Sequence, residues 1–263
     1  MAITKGCTAL LLDECRRSQF HGSVMQLGRH TIYLTMGAFQ EQASLHGVTL
    51  KAVSPTLSTV APVANIGGIS DVTYFSSLGL ETIESCDISD IDGATYVLDL
   101  NRPVPEVLYN RYDLIIDSGT SEHIFDLPQV LRNLHSMLKV GGRIIFMFTP
   151  ATNFVDHGYY MFSPILFYDY FTINNYLIHS AFLIRHTVHF ADDPYEIIYY
   201  EPGVLDPFSY GGCCNGNMLS TWFCVEKTVS STCDVIPQQG CSYGSDTTRA
   251  KPELRLYSAP TYR

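Results

Sequence analysis

The sequence YDLIIDSGTSEHIFDLPQVLRNLHSMLKVGGRIIFMF, residues 112–148, is the part of the chain that says most about its architecture. It opens with an apolar run, 112–116, of the kind that forms a strand covered on both faces of a parallel sheet. Residues 127–138 then repeat apolar side chains at three- and four-residue steps, which predicts an amphipathic helix with Asp126 as its N-cap. A second apolar run, 143–148, follows at once. Strand, helix and strand in close succession predict a parallel crossover.

The same alternation continues on both sides of this segment. The other predicted helices are 7–18, 35–46, a short helix capped by Ser70 or Asp71 and ended by Gly79, and one beginning at Ser163-Pro164. The other predicted strands are 23–27, 81–86 and 94–98, with two more near 177–187 and 218–228. Most of the strands are separated by helices or long loops. The sequence therefore predicts an α/β fold, a Rossmann-like, doubly wound, mainly parallel sheet with helices on both faces.

The length of 263 residues fits a single domain spanning 1–263. Three parts of it depart from the regular pattern. Residues 33–68 contain Pro55, Pro62, Gly67 and Gly68 and are interpreted as an insertion. Residues 151–176 are rich in tyrosine and phenylalanine, and the residues from about 231 onward are polar and irregular.

Composition narrows the class of partner. The formal net charge of −10 disfavours a nucleic acid, whose phosphates would be repelled on average, and favours a small molecule. No run of 18 or more uncharged apolar residues occurs, so we expect no membrane association, and the first residues do not resemble a secretory signal, which points to the cytoplasm. The sequence does not indicate an oligomeric state.

The eight cysteines show no spacing that is typical of a metal site. None forms a CxxC pair, so we expect reduced thiols and predict no metal-binding residues. A glycine-rich turn around Cys213-Cys214 could expose a thiol, but no activating partner is adjacent in sequence.

Three carboxylates follow successive predicted strands, at Asp87, Asp99 and Asp117, the last followed by Ser118. The carboxyl ends of parallel strands face the crevice in which such sheets bind ligands. A carboxylate there can accept hydrogen bonds from both hydroxyls of a ribose. Aspartate also caps loops often, so the set carries more weight than any single member.

Residues 81–150 resemble the core of class I S-adenosylmethionine-dependent methyltransferases. The resemblance lies in the strand 112–116, in the Glu122-His123-Ile124 that follows it, and in MLKVGG at 137–142 leading into the strand 143–148. It implies S-adenosylmethionine as cofactor and a small-molecule acceptor. It also implies that Asp87 holds the ribose hydroxyls and that Asp99 contacts the adenine, with Asp117 and Ser118 at the same site.

The loop after the first strand departs from the family. A glycine-rich loop is expected there, but the sequence reads Leu27-Gly28-Arg29-His30. Gly28 is the candidate for close contact with the cofactor. Arg29 can either pair with the cofactor's carboxylate by a two-point contact or form an ordinary salt bridge. A second candidate for the loop is Ile66-Gly67-Gly68, but the strand before it would contain Pro62.

Two histidines are candidates for a general base that removes a proton from the acceptor. His123 follows the fourth strand of the predicted sheet, and His157 lies just beyond the fifth. Tyr159, Tyr160 and Phe162 are the predicted walls of the acceptor pocket. A lone histidine is more often structural, so each assignment competes with that interpretation.

Two other functions remain open. The chain could be a catalytically inactive, methyltransferase-like module that binds a ligand, an alternative favoured by the missing glycine-rich loop. It could also be a nicotinamide-dependent oxidoreductase, which is disfavoured because no GxGxxG follows the first strand.

Overall fold

The computed structural model describes residues 1–187, 195–205 and 216–238, together with the backbone of 256–258. The turn at Cys213-Cys214 and most of the predicted irregular tail lie outside the described residues. Within the described part, no helix combines the length and the apolar character needed to cross a membrane.

Helices and strands alternate along the chain. The helices are α1 (Lys5–Arg17), α2 (Met36–Leu45), α3 (Ala61–Asn65), α4 (Asp71–Ser77), α5 (Leu127–Met137) and α6 (Pro164–Ile173). The strands are β1 (Ala2–Ile3), β2 (Gly22–Leu27), β3 (Thr31–Ile32), β4 (Leu80–Asp87), β5 (Tyr96–Val97), β6 (Tyr112–Asp117), β7 (Leu138–Thr152), β8 (Leu177–His186), β9 (Glu196–Tyr199), β10 (Met218–Glu226) and β11 (Leu256–Ser258). Short 3₁₀ turns occur at Glu106–Leu108 and Ser121–His123.

In the described residues the main sheet has the order β11-β9-β8-β10-β7-β6-β2-β4-β5. The five strands from β7 to β5 are parallel to one another. Strand β10 runs antiparallel between β7 and β8, and β9 is antiparallel to β8. The order of β5, β4, β2, β6 and β7 is the 3-2-1-4-5 order of a doubly wound sheet. The predicted α/β, mainly parallel fold is confirmed.

The sheet is covered on both faces because its strands are apolar on both. On β6, Leu114 and Ile116 face a core shared with α1, α2 and α4, whereas Ile115 faces a core shared with α5 and α6. Strand β7 repeats this alternation, with Ile145 on the first face and Phe146 on the second. Successive side chains of a strand point to opposite faces, so both layers of helices are needed to bury them.

Helix α5 forms where its periodicity predicts it. The side chain of Asp126 accepts a hydrogen bond from the backbone N–H of Gln129 at 3.0 Å, as an N-cap does. The predicted inner side chains are buried: Val130, Leu131, Leu134 and Leu138. The helix ends at Met137, one residue early, because Leu138 is already extended and pairs with Tyr112 in the sheet.

Strand β5 is shorter than the predicted 94–98. Side chains replace part of the backbone ladder just before it. The N–H of Ser85 donates to Thr95 Oγ1 at 3.1 Å, and the N–H of Thr95 donates to Ser85 Oγ at 3.2 Å. Because these bonds satisfy the backbone without strand pairing, only Tyr96–Val97 enter the sheet.

The packing of α5 predicts a large loss of stability when its core is truncated. Leu134 is 1% exposed, so Leu134→Ala should lower the free energy of unfolding by about 2–5 kcal/mol, because it leaves a cavity. Urea unfolding monitored by circular dichroism measures the change. Leu45→Ala, at a leucine that is 65% exposed, should shift stability by less than about 0.5 kcal/mol. Equal losses in the two variants would contradict the packing of α5.

Candidate functional site

The loops at the carboxyl end of the parallel strands diverge beside β2. The chain leaves β2 toward α4 on one face, whereas β6 leads to α5 on the other. A sheet opens a crevice at such a switch point. Gly28 lies directly beside it with a φ of +71°, and its N–H donates to the carbonyl of Cys86 at 2.7 Å. Asp117 ends β6 on the other side of the crevice and is fully buried.

The N-terminal residues form one wall of this crevice. Strand β1 pairs in parallel with β3, and the N–H of Thr31 donates to the carbonyl of Met1. Ser118 Oγ donates to the carbonyl of Ala2 at 3.2 Å. A side chain at Gly28 would lie 2.6 Å from Met1 Cγ. The N-terminal residues therefore pack directly against the predicted cofactor residues Gly28 and Ser118.

Arg29 forms an ion pair within the protein. Its Nε lies 3.1 Å from Asp71 Oδ2, and its Nη2 lies 3.1 Å from Asp71 Oδ1. Its Nη1 donates to the carbonyls of Asp92 and Gly93, at 3.3 and 3.4 Å. Asp71 also accepts from Gln26 Nε2. Of the two alternatives for Arg29, the structure shows the salt bridge, which ties the end of β2 to α4 and to the loop after β4.

Asp87 and Asp99 lie at the same edge of the sheet, and each makes local hydrogen bonds. Asp87 is the last residue of β4, is half-buried, and accepts from the N–H of Ser89 at 3.3 Å. Asp99 is exposed and accepts from both the N–H and the side-chain amide of Asn101. These bonds from Asn101 lower the pKa of Asp99. In the described residues, no cationic side chain forms a salt bridge with Asp87. Asp99 has a long one, with 3.8 Å between its Oδ2 and Arg102 Nε.

A cavity of about 460 Å³ opens next to the crevice, at the ends of β6, β7, β8 and β10. Its polar lining comes from the loop after β6, from His157, and from the pair His186 and Ser220. Its apolar lining is made by side chains from three separate segments: Met1, Ala2, Tyr33, Met147, Phe148, Pro150 and Phe154. Cys7 and Thr31 also contribute. The volume is in the range of small-molecule sites.

His123, His157 and Glu122 meet at the wall of this cavity. Glu122 Oε1 lies 4.0 Å from His123 Nε2 and 3.8 Å from His157 Nε2. The two imidazole rings are 5.1 Å apart between centroids. Both histidines are about half exposed, at 42% and 50% of the side chain, whereas Glu122 is 1% exposed. The structure thus brings the two predicted catalytic histidines together around a buried carboxylate.

Two backbone hydrogen bonds join the loops that carry these side chains. The N–H groups of Tyr159 and Tyr160 both donate to the carbonyl of Glu122, at 2.8 and 3.2 Å. Gly158 passes so close that a Cβ there would lie 2.8 Å from this carbonyl oxygen and 3.1 Å from His123 Nδ1. Only a glycine allows this approach without displacing the neighbouring loop.

Burial dominates the electrostatics of the cluster. Burial, together with the nearby carboxylate of Asp117, raises the pKa of Glu122 to about 8. Burial also raises the pKa of Asp117, whose Oδ1 accepts from the N–H of Thr120 at 2.9 Å. The pKa of His123 is lowered by burial and by the neighbouring His157. Two carboxylic groups thus share a poorly solvated space in which ionising both is unfavourable.

The aromatic walls of the cavity are not the residues predicted for them. Phe162 is 1% exposed and packs in the main core against Phe167. Tyr160 donates from its hydroxyl to the carbonyl of Phe125, and Tyr159 packs on the same phenylalanine. None of the three lines the cavity, because the chain turns back toward α6 after Gly158.

Phe148 and Phe154 occupy the place predicted for those rings. Phe148 has a φ of +53° within β7, and the pairing of β7 with β10 shifts register there, as in a β-bulge. The bulge turns this side chain into the cavity, against His186. Sequence reasoning missed it because a continuous apolar run such as 143–148 does not reveal which residue is bulged.

Several solved structures are similar to this chain. They include 1,6-didemethyltoxoflavin-N1-methyltransferase from Burkholderia thailandensis, at 9% identity and a TM-score of 0.40, over 85% of this chain and 78% of that one. Phosphoethanolamine N-methyltransferase 2 from Haemonchus contortus has 13% identity and a TM-score of 0.45, over 84% of this chain and 52% of that one. The YcgJ protein from Bacillus subtilis has 13% identity and a TM-score of 0.41, over 84% of this chain and 98% of that one.

The TM-scores are below 0.5, so these structures support no argument about activity. The fold is assigned from the strand order described above. The chain spans about half of the Haemonchus protein. No protein-family model matches the sequence, and no curated protein does.

His30, next to Gly28 and Arg29, predicts a pH-dependent stability. Its Nδ1 contacts Gln26 Oε1 at 3.0 Å, its Nε2 has no partner, and burial lowers its pKa to about 3. The unfolded chain takes up a proton near pH 6.5, whereas the folded chain does not. The contribution of neutral His30 to the free energy of unfolding is therefore complete above pH 6.5, and it is lost as the pH falls below that value. The loss should reach about 2 kcal/mol between pH 8 and pH 5.

Urea unfolding of the wild type and of His30→Asn across this pH range measures the effect. The variant should lack this component of the pH dependence, while His21→Asn, at an exposed histidine, should keep it. The burial of a neutral His30 would be refuted by parallel pH profiles for the wild type and His30→Asn.

Proposed function

We propose that this protein transfers a methyl group from S-adenosylmethionine to a small-molecule acceptor. The observation that carries the proposal is the position of Gly28, Asp87 and Asp117 around the switch point of a doubly wound sheet. A cavity of about 460 Å³ opens beside the same strand ends. Ligands of such sheets bind at this edge, and the cavity offers a neighbouring space for a second molecule.

The residues at the crevice fit the cofactor in most respects. Half-buried Asp87 can accept hydrogen bonds from the ribose hydroxyls. Met1 packs against Gly28, so a ligand reaches that backbone only when the N-terminal residues move aside. S-adenosylmethionine supplies a methyl group on a positively charged sulfur. Asp117 and Glu122 place two buried carboxylic groups at the end of β6, and burial favours the neutral form of each. Arg29 is engaged by Asp71, so we do not assign it to the cofactor's carboxylate.

The acceptor is assigned to the cavity. Phe148 and Phe154 provide apolar surface, and His123 and His157 provide polar contacts on one side. Methyl transfer needs the acceptor atom in line with the methyl carbon and water kept out, so a shaped cavity at the strand ends performs most of the work. His157, which is half exposed and lies on the loop after β7, is the polar contact that we propose for the acceptor group.

The first test measures binding of S-adenosylhomocysteine by calorimetry. Asp87→Ala should weaken binding about tenfold or more, because a hydrogen bond to a charged group contributes about 1.5–3 kcal/mol. Glu81→Ala is the matched control, since Glu81 is an exposed carboxylate at the opposite end of β4. It should bind like the wild type. Asp99→Ala should weaken binding less, because that carboxylate is already satisfied by Asn101.

Three outcomes discriminate between the functions. Binding of S-adenosylhomocysteine that both Asp87→Ala and Glu81→Ala leave unchanged would contradict the assignment of the crevice. Binding of NAD in its place would favour an oxidoreductase. Binding without any methyl transfer would favour the catalytically inactive module. The packing of Met1 against Gly28 is the observation that favours this alternative.

The second test concerns the acceptor side. His157→Ala should reduce turnover roughly 10²-fold while leaving the affinity for S-adenosylhomocysteine within about twofold. Turnover is measured as S-adenosylhomocysteine formed from S-adenosylmethionine in the presence of a small-molecule extract. His21→Ala removes an exposed imidazole from the opposite end of the sheet and should keep full activity. Loss of affinity for S-adenosylhomocysteine in His157→Ala would show that His157 contacts the cofactor and would contradict its assignment to the acceptor.

A further inference from the structure

We propose that Glu122, His123 and His157 form a binding site for a divalent transition-metal ion of the zinc type. One carboxylate and two imidazoles present their ligand atoms within 4.8 Å of one another. The sequence predicted no metal site, because the two histidines are separated by 34 positions (157 − 123) and by a whole crossover.

The spacing of the three groups is close to that of a bound set. Ligand atoms that share one ion at about 2.1 Å lie roughly 3.0–3.4 Å apart in octahedral or tetrahedral geometry. The separations from Glu122 Oε1 to the two Nε2 atoms are 4.0 and 3.8 Å. These two separations must contract by less than about an ångström, and the third, between the imidazoles, is at most 4.8 Å. Both histidine side chains are about half exposed, so rotation about their side-chain bonds can bring the nitrogens closer.

The buried carboxylate supplies an independent reason for an ion. Glu122 is 1% exposed, and its Oε2 has no hydrogen-bond partner in the structure. No lysine or arginine of the described residues forms a salt bridge with Glu122. The basic groups within 4.0 Å of its carboxylate are the imidazoles of His123 and His157. Buried carboxylates are ordinarily paired, hydrogen-bonded or bound to a metal. An ion between Glu122 and the two imidazoles would provide the missing partner.

The backbone fixes this arrangement before any ion binds. The hydrogen bonds from the N–H groups of Tyr159 and Tyr160 to the carbonyl of Glu122 hold the loop of His157 against the loop of His123. The missing side chain at Gly158 permits the contact. These backbone bonds hold the loops that carry the two histidines next to each other, which places both side chains within reach of one ion.

The donor set selects the class of metal. Two imidazole nitrogens and one carboxylate suit zinc and the neighbouring transition metals, whereas magnesium and calcium prefer oxygen ligands alone. Three protein ligands leave at least one coordination position open, as in catalytic zinc sites. All three residues line the cavity, so that position faces it.

The role of the ion rests on the proposed function. An acceptor hydroxyl bound at the open position would lose its proton to water more readily, since a divalent ion stabilises the resulting oxyanion. The oxygen would then attack the methyl carbon, and the carbon–sulfur bond would break with its electron pair moving to sulfur. In that case the two histidines hold the ion and thereby position the acceptor.

The experiment titrates the metal-free full-length protein with Co²⁺ and records its visible d–d absorption, with Zn²⁺ and Mg²⁺ as competitors and no cofactor present. We expect one Co²⁺ per chain, displaced by Zn²⁺ and unaffected by a large excess of Mg²⁺. His157→Asn and His123→Asn should each weaken binding at least about 100-fold, because each removes a ligand. Both side chains are exposed enough for the fold to tolerate the change, which circular dichroism checks.

Two controls keep the result specific. His21→Asn removes an exposed histidine at the other edge of the sheet and should bind Co²⁺ as the wild type does. Cys7→Ser tests the cavity thiol and should also leave binding unchanged. The proposal is overturned if no Co²⁺ binds, or if it binds equally well to His123→Asn and His157→Asn. Co²⁺ binding without any affinity for S-adenosylhomocysteine would keep the metal site and reject the proposed function.

Discussion

The parallel pairing of β2 with both β4 and β6 is the constraint on which the site depends. Leu27 lies opposite Cys86 on one side and opposite Asp117 on the other, so the three strands end at one level. The connections that leave β2 and β6 go to opposite faces of the sheet, and a crevice opens between them. A shift of one residue in this register would turn the apolar side chains of β2 to the wrong faces, so burial on both faces fixes the alignment.

A second contact extends the crevice into a site. The carbonyl of Glu122 accepts two N–H groups from the loop after β7, and Gly158 allows the loops to touch. This contact gathers Glu122, His123 and His157 beside a cavity that β8 and β10 complete with His186 and Ser220. Strand β10 lies antiparallel between β7 and β8, and its first residues and the end of β8 form the far wall of the cavity.

Local patterns in the sequence predicted most of the fold and only part of the site. Helix α5 and strands β4, β6 and β8 were predicted to within about two residues, because their periodicity and caps are local. Strand β9 and the direction of β10 depend on pairing between distant segments. The site shows the same contrast between local and long-range information. The position of His123 after β6 is local and was predicted, whereas its contact with His157 depends on hydrogen bonds between distant loops. Phe162 enters the core and Phe148 the cavity because of a chain reversal and a bulge that composition does not encode.

Hydrogen exchange with and without S-adenosylhomocysteine tests the central claim, that a ligand binds where β2, β4 and β6 end. The amides of residues 28–30, 88–90 and 118–120 should become protected when the ligand is added, because these loops border the crevice. The segments at the opposite end of the strands, residues 21–22 and 110–111 and the start of β7 at 140–142, should exchange at an unchanged rate. Protection confined to that opposite edge, or no protection at saturating ligand, would contradict the account.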